Sequence, residues 1–121
     1  MGLTHITARI HDLAKQGTTP FEAEFLVDTG SIDCLAPAEK LRSAGVKPEG
    51  KAVYELANGH PIECEYGFAR VSFFGMETVA QVIFGPADAE PILGATALEN
   101  VGVIVDPVNR ELKRLPAKPL K

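Results

Sequence analysis

Residues 25–31 read FLVDTGS, an apolar run that ends in an aspartate and a short polar segment. A carboxylate at the end of a hydrophobic strand costs free energy unless it is hydrogen-bonded or paired. Gly30 permits a backbone bend that turns amides toward Asp28, and the Thr29 hydroxyl can bond to neighbouring backbone and stiffen the loop. The pattern predicts a carboxylate held rigidly in a partly desolvated environment, which is typical of acid and base catalysts. An ordinary Asx-type turn is the alternative, because Asp-Thr-Gly also suits turns that have no chemistry.

The sequence around this stretch predicts short strands. Residues 4–12 and 21–27 alternate between apolar and polar side chains, so we expect an antiparallel hairpin with a turn at residues 16–19. A short strand is expected at residues 32–36, followed by a short helix at residues 37–44 that begins near a proline and ends before a glycine.

The second half of the chain continues in the same way. Asn58-Gly59 is the strongest two-residue hairpin signal, and it separates strands predicted at residues 51–57 and 61–73. The segment 91–96, PILGAT, predicts a strand that turns at a glycine into a short helix at residues 96–100. The remaining strands are expected at residues 78–84, 101–105 and 111–115.

Size and composition limit the class of protein. The chain has 121 residues, of which 45% are hydrophobic, and we interpret residues 1–121 as a single domain. Nine prolines and eleven glycines favour a mainly β architecture with many turns. The net charge of -4 and the absence of a Lys/Arg stripe make nucleic acid an unlikely partner class. We expect no membrane association and a cytoplasmic location, because no signal, myristoylation or membrane-spanning pattern occurs.

Cysteine and histidine usage predicts no cofactor. Cys34 and Cys64 fit no disulfide framework; separate reduced thiols are favoured, with a redox lock between them as the alternative. The three histidines lack the spacing of metal ligands, so we expect no metal site.

Taken in order, FLVDTGS at residues 25–31, the Asn58-Gly59 hairpin and PILGAT at residues 91–96 resemble the retropepsin-like aspartic proteases (clan AA). The chain is most similar to the small bacterial and archaeal single-domain type, which begins Met-Gly-Leu-Thr and ends with a Val-Asp-Pro turn before a last strand. The resemblance covers essentially the whole chain. It implies a closed retropepsin-like (acid protease) β-barrel with one or two short helices and a flap hairpin, in which the strand through Leu93-Gly94 supports the Asp-Thr-Gly loop.

The resemblance also implies roles for individual residues. Asp28 would be the catalytic carboxylate, Thr29 would interlock with its symmetry mate, and Gly30 would offer backbone contact to substrate. Substrate binding would further involve four residues around the cleft, with the last two at the tip of the flap: Ser31, Asp33, Asn58 and Gly59.

One departure concerns the residues after the motif. Viral members usually carry two acidic residues there, whereas this chain has Ile32 and then Asp33. The first acidic residue grips the substrate backbone in viral members, so its absence affects substrate register. Asp33 is a substrate contact or, equally, a surface or supporting group. Tyr54, Leu56 and Ile62 either line subsites or pack within the hairpin.

The number of carboxylates predicts the assembly. Peptide hydrolysis by this chemistry needs one ionised carboxylate to take a proton from water and one protonated carboxylate to polarise the scissile carbonyl. The chain has one Asp-Thr-Gly and is too short for two lobes, so the second Asp28 must come from another copy on a two-fold axis.

The leading hypothesis is therefore an aspartic endopeptidase that acts as a homodimer on an extended peptide or protein substrate. A dimeric peptide-binding or scaffolding module of the same fold, with weak or no proteolytic activity, is the alternative. A small-molecule-binding β-barrel is a third reading, which requires the Asp-Thr-Gly to be an accidental turn.

Overall fold

The computed structural model describes residues 4–16 and 19–120, and the chain is mainly β, with 52% strand and 10% helix. The turn predicted at residues 16–19 and the predicted start at residues 1–3 include positions outside the described residues. The described elements, in chain order, are β1 (Thr4–His11), β2 (Phe21–Asp28), β3 (Cys34–Pro37), α1 (Ala38–Ser43), β4 (Gly50–Glu55), β5 (Pro61–Phe73), β6 (Met76–Gly85), β7 (Ile92–Gly94), α2 (Ala95–Asn100), β8 (Val103–Asp106) and β9 (Glu111–Arg114).

The alternating pattern of the first two strands gives the expected antiparallel pair. β1 and β2 pair from Thr4 opposite Val27 to Ile10 opposite Phe21. Ile10 and Phe25 are fully buried, while the polar residues between the apolar positions are exposed, because successive side chains of a strand point to opposite faces.

Seven strands form one sheet in the order β1-β2-β7-β3-β6-β5-β4, and β1 also pairs with β5. The order of paired strands therefore starts at β1, runs through β2, β7, β3 and β6 to β5, and comes back to β1, because β5 pairs with β1. Two of the pairings are parallel, β2 with β7 and β3 with β6, and they bring distant segments of the chain to the end of β2. β8 and β9 form a separate two-stranded sheet.

The core lies inside this arrangement of strands. Its largest fully buried side chains come from several strands and α1, and they are Phe25, Ile10, Leu41, Leu93, Val71 and Val82. Burial of each such side chain contributes roughly 1.5–3 kcal/mol. Leu93 is the central residue of β7, so the strand that borders the end of β2 is fixed by the core.

The predicted hairpin at Asn58-Gly59 is confirmed, but the prediction that its turn has two residues is wrong. The Leu56 amide donates to the His60 carbonyl over 2.9 Å, and the Gly59 amide donates to the Leu56 carbonyl over 2.9 Å, so the loop spans residues 56–60. Gly59 alone of the pair has a left-handed backbone, with φ of 84°. A two-residue type I′ turn needs positive φ at both central residues, which Asn58 does not adopt.

The tight two-residue turn lies instead at Phe74 and Gly75, between β5 and β6, where φ is 53° and 75°. Sequence reasoning missed it because phenylalanine rarely adopts this conformation. Arg114 supports the turn: its guanidinium donates to the Phe74 carbonyl over 2.8 Å and lies 5.2 Å from the Phe74 ring centroid. Tertiary contacts thus offset a local backbone cost.

The other predicted elements form with shifted ends. β3 begins at Cys34 instead of residue 32, because the Ser31 and Ile32 carbonyls accept hydrogen bonds from the start of α2. The predicted cap of α1 is confirmed at Gly45, which has φ of 88° and donates its amide to the Arg42 carbonyl over 3.0 Å. In the part of the chain that the structure describes, no helix has the length and apolarity needed to span a membrane.

Candidate active site

Asp28 is the last residue of β2, where the strand leaves the sheet. Parallel pairing with β7 sets Leu26 beside Ile92, Val27 beside Leu93 and Asp28 beside Gly94. The apolar residues that precede the aspartate hold the strand against the core, and the carboxylate emerges at its end. Asp28 is half-buried, and Thr29 and Gly30 are exposed.

Residues 28–31, here named the Asp28 loop, turn their backbone toward the carboxylate as expected. The Gly30 amide donates to Asp28 Oδ1 over 2.9 Å, and the Ser31 amide donates to the Asp28 carbonyl over 3.1 Å. The first bond fixes the carboxylate relative to the backbone that carries it. The prediction that the glycine lets an amide meet this side chain is confirmed.

β7 and the first turn of α2 hold the Asp28 loop from its other side. The Leu26 amide donates to the Pro91 carbonyl over 2.9 Å. The Ala95 amide donates to the Ser31 carbonyl over 2.7 Å, and the Thr96 amide donates to the Ile32 carbonyl over 3.1 Å. The expected support of the loop by the strand through Leu93 and Gly94 is therefore confirmed.

Gly94 is needed because another part of the backbone passes very close to it. A Cβ atom at this position would lie 2.3 Å from the Asp33 carbonyl oxygen and 2.8 Å from the Ile32 carbonyl oxygen. No side chain fits at those distances, so the glycine of PILGAT is a packing requirement. It allows the segment that leaves the Asp28 loop to cross β7.

A mainly apolar cavity of about 650 Å³ borders Asp28. It lies between the end of β2, α2 and β8, and its lining residues include Leu26, Asp28, Thr29, Leu98, Ile104 and Val105. Ile104 is 47% exposed there. The carboxylate thus stands at the edge of an open apolar surface.

Asp33 belongs to a second polar group, named the Asp33 cluster, which consists of Asp33, Tyr54 and Gln81. The Tyr54 hydroxyl donates to Asp33 Oδ2 over 3.3 Å, and Gln81 Nε2 donates to the same oxygen over 3.2 Å. Gln81 Nε2 also donates to the Tyr54 hydroxyl over 3.2 Å. Burial raises the pKa of Asp33, and the Tyr54 hydrogen bond partly opposes that rise. Burial also raises the pKa of Tyr54, which the nearby Asp33 charge increases further.

Sequence reasoning named Asp33 and Tyr54 separately and did not name Gln81. Parallel pairing of Cys34 with Val82 sets the preceding residues, Asp33 and Gln81, side by side on the face opposite the buried Cys34. A signal for the cluster was present at residues 79–84, where Gln81 is the single polar residue in an apolar strand. That signal does not show which strand Gln81 lies beside, so the cluster could not be predicted without knowing how β3 pairs with β6.

The remaining predicted site residues occupy two places. Ser31 lies in the Asp28 loop, whereas Asn58 and Gly59 are exposed at the tip of the β4–β5 hairpin. Asn58 Oδ1 accepts the His60 amide over 3.0 Å, which stiffens the tip. Among the described residues, no hydrogen bond joins the hairpin tip to the Asp28 loop. Register sets Tyr54 opposite Ile62 on one face of the hairpin.

Both cysteines are free, as favoured by the sequence. Cys34 is buried, and burial raises the pKa of its thiol to about 11, so it is an inert core residue. Burial also raises the pKa of Cys64. Across residues 4–16 and 19–120, no group of three or more His, Cys, Asp or Glu side chains has the geometry to hold a metal ion.

Comparison with solved structures identifies the fold. The chain is similar to the solution structure of Simian Foamy Virus (mac) protease, with a TM-score of 0.54 and 17% sequence identity over 78% of this chain and 91% of that chain. The fold of this chain is therefore retropepsin-like. No family model matches the sequence. No curated protein matches it either. At this identity the likeness shows the fold alone.

Proposed function

We propose that the chain is an aspartic endopeptidase of the bacterial and archaeal retropepsin-like type, active in the cytoplasm as a homodimer. The observation that carries the proposal is the Asp28 carboxylate, which ends a core strand and is fixed by the Gly30 amide over 2.9 Å in a retropepsin-like fold. A half-buried carboxylate with one fixed orientation is suited to proton transfer.

The chemistry requires a second carboxylate close to the first. Two Asp28 side chains related by a two-fold axis would share one proton. The ionised carboxylate takes a proton from water as the water oxygen bonds to the scissile carbonyl carbon, while the protonated carboxylate donates to the carbonyl oxygen. The C–N bond of the resulting diol then breaks as the carboxyl that took the water proton passes it to the amine nitrogen, and the other carboxylate takes a proton from a diol hydroxyl as the C=O bond re-forms. Thr29 would contact its symmetry mate, and Gly30 would contact the substrate backbone.

The apolar cavity beside Asp28 supports the proposed dimer. Its walls include the exposed Ile104 and the half-buried Val105 of β8, whose sheet is separate from the seven-stranded sheet. A second copy that covers this surface would remove apolar area from water and bring its own Asp28 to the two-fold axis.

We further propose that the seven-stranded sheet is the closed barrel of this class, and that the β4–β5 hairpin is its flap. An extended peptide would bind by backbone hydrogen bonds between the Asp28 loop and the hairpin, with contacts from Ser31, Asp33, Asn58 and Gly59. Leu56 and Ile62, which are both exposed on the hairpin, favour apolar side chains near the cut.

A proteolytically weak peptide-binding or scaffolding dimer is the second candidate. Ile32, which is 74% exposed, stands where viral members carry an acidic residue that grips substrate. Without that contact, peptides would bind with less definite register. An intact Asp28 loop favours the enzyme.

The test is a peptide-library digest of wild type beside Asp28→Asn, read by mass spectrometry at acidic and neutral pH. Asp88→Asn, at an exposed loop carboxylate, is the matched control. We expect wild type and the control to cut at acidic pH and Asp28→Asn to be inactive and folded. Cleavage by Asp28→Asn would refute the assignment, and no cleavage by wild type, together with peptide binding, would select the scaffolding module.

Specific activity measured across a range of protein concentrations tests the assembly. A site shared between two copies makes activity follow the dimer population, so specific activity should rise with concentration until the dimer saturates. Constant specific activity through the monomer–dimer transition, followed by sedimentation, would contradict a shared site.

A further inference from the structure

We propose that the Asp33 cluster is a latch that anchors the β4–β5 hairpin to the strand following the Asp28 loop, with Tyr54 as a positioning residue for substrate binding. The effect on substrate rests on the proposed function. The latch itself is a property of the free chain and is measurable without substrate.

The hairpin needs an anchor because its outer part is a two-stranded ribbon. β4 stands at the edge of the seven-stranded sheet and pairs with β5. Residues 61–65 of β5 pair with β4, whereas the pairing of β5 with β6 starts at Tyr66. An isolated two-stranded ribbon is at best marginally stable in water, so side-chain contacts determine where this one lies.

Side-chain hydrogen bonds join the ribbon to the rest of the described chain at two places. Arg42 donates to Glu65 over 2.9 Å near the base, and both side chains are substantially exposed. Exposed ion pairs of this kind contribute little. Tyr54 lies nearer the tip, one residue before the end of β4, and its contact with Asp33 and Gln81 is partly buried.

All side-chain donors of the cluster are used within it. The Tyr54 hydroxyl has one proton, which it donates to Asp33, and it accepts from Gln81. Gln81 Nε2 has two protons and donates one to each partner. Two strands, β4 and β6, and the segment before β3 thus meet in a closed triangle with distances of 3.2–3.3 Å.

This arrangement predicts an effect on substrate affinity more than on chemistry. If substrate binds only when the hairpin is anchored, the apparent dissociation constant equals the intrinsic constant divided by the anchored fraction. Removal of the Tyr54 hydroxyl should therefore raise KM, by about threefold to tenfold, and change kcat little.

Acidification changes the charge of the latch. The titratable groups facing it are Tyr54 on β4, Cys64 on β5 and Cys34 on β3, and burial raises the pKa of all three. Asp33 is then the member of this set that changes charge in the acidic range. Burial raises its pKa, whereas the Tyr54 hydrogen bond opposes that rise because it favours the ionised carboxylate.

Tyrosine spectroscopy tests the latch directly. The sequence has two tyrosines and no tryptophan, so Tyr66→Phe leaves Tyr54 as the sole tyrosine reporter. In this background we expect tyrosine emission to rise on acidification, as Asp33 loses the charge that quenches the phenol. Adding Asp33→Asn should abolish that transition and lower the pKa of Tyr54 in an absorbance titration, whereas Asp88→Asn should change neither. Identical titrations with and without Asp33 would overturn the latch.

Hydrogen exchange and kinetics test its consequence. Tyr54→Phe should lower the amide protection factors of residues 52–63 and leave those of the β1–β2 pair unchanged. With peptide substrate, the same variant should raise KM.

The outcomes separate the two proposals. If wild type cleaves no peptide, the proposed function fails, and the latch still stands or falls on the tyrosine titration and hydrogen exchange. If wild type cleaves and Tyr54→Phe alters protection without altering KM, Tyr54 is not a positioning residue. If protection in residues 52–63 is unchanged, there is no latch.

Discussion

Asp28 and Asp33 are five residues apart, and the structure uses their carboxylates in different ways. Asp28 accepts one short-range hydrogen bond, from the Gly30 amide of its own loop, and borders an open apolar cavity. Asp33 accepts two side-chain hydrogen bonds from distant strands, and burial raises its pKa. The first arrangement leaves a carboxylate at the border of an open cavity, while the second uses a carboxylate to join parts of one chain.

Local sequence explains the Asp28 loop, whereas it does not explain the Asp33 cluster. The Asp28 loop is built from four consecutive residues whose turn chemistry is visible in the sequence. The Asp33 cluster depends on the register of β3 against β6 and on the position of the β4–β5 hairpin. Its members are 21 and 27 residues apart along the chain.

The largest expected effect separates the two carboxylates by their role in cleavage. Asp28→Asn should lower kcat by at least about 10²- to 10⁴-fold, because it removes the acid–base group. Asp33→Asn should lower kcat less than about tenfold, because it changes hydrogen bonds that lie outside the proton transfer. Steady-state kinetics on one peptide, with folding checked by circular dichroism, gives both values. Equal losses would erase the proposed distinction.

Gly94 links the two regions, because it pairs with Asp28 and contacts the Asp33 backbone. Gly94→Ala would set a Cβ atom 2.3 Å from the Asp33 carbonyl oxygen, so we expect a loss of roughly 3 kcal/mol in the free energy of unfolding. Gly59→Ala is the control, because its Cβ atom meets nothing within 4 Å and the cost is conformational, about 1 kcal/mol. Urea unfolding at one protein concentration measures both. Equal costs would show that the close crossing is not a packing requirement.

The pH dependence of stability should distinguish Asp33 from an ordinary carboxylate. Its pKa is raised in the folded chain, so the folded chain binds this proton more tightly than the unfolded chain does. The ionised group therefore lowers stability, and the penalty disappears as pH falls through the raised pKa. We expect Tm of wild type relative to Asp33→Asn to increase on acidification, by scanning calorimetry. A constant difference would mean that burial does not perturb Asp33.

Asp106, at the end of β8, should give a smaller effect of the opposite sign. Hydrogen bonds from Asn109 and Lys113 lower its pKa to about 2, with backbone amides of Val108 and Asn109 adding to the effect. Its stabilising contribution is present above the ordinary pKa of 3.8 and is lost as pH falls through about 2. Asp106→Asn should lower Tm by a few degrees at neutral pH and by less at pH 2. A variant with unchanged Tm at neutral pH would contradict this.

Several features of the fold were accessible from sequence because they depend on near neighbours. Alternation in β1 and β2, the cap at Gly45 and the change from strand to helix at Gly94 were all predicted and confirmed. The tight turn at Phe74-Gly75 was not predicted, because its backbone is stabilised by Arg114, forty residues away. The turn at Asn58-Gly59 has the expected position with a different geometry.

Local sequence patterns were enough to predict which segments become strands and where β2 ends. They were also enough to predict that a backbone amide at Gly30 meets the Asp28 carboxylate. These outcomes follow from side-chain alternation and from turn chemistry within a few residues. Only the tertiary structure decided that Gly94 lies beside Asp28, that an apolar cavity borders this carboxylate, and that Asp33 meets Tyr54 and Gln81. The reason is that strand register is a property of the whole sheet, since each pairing must satisfy the burial of all the others at once.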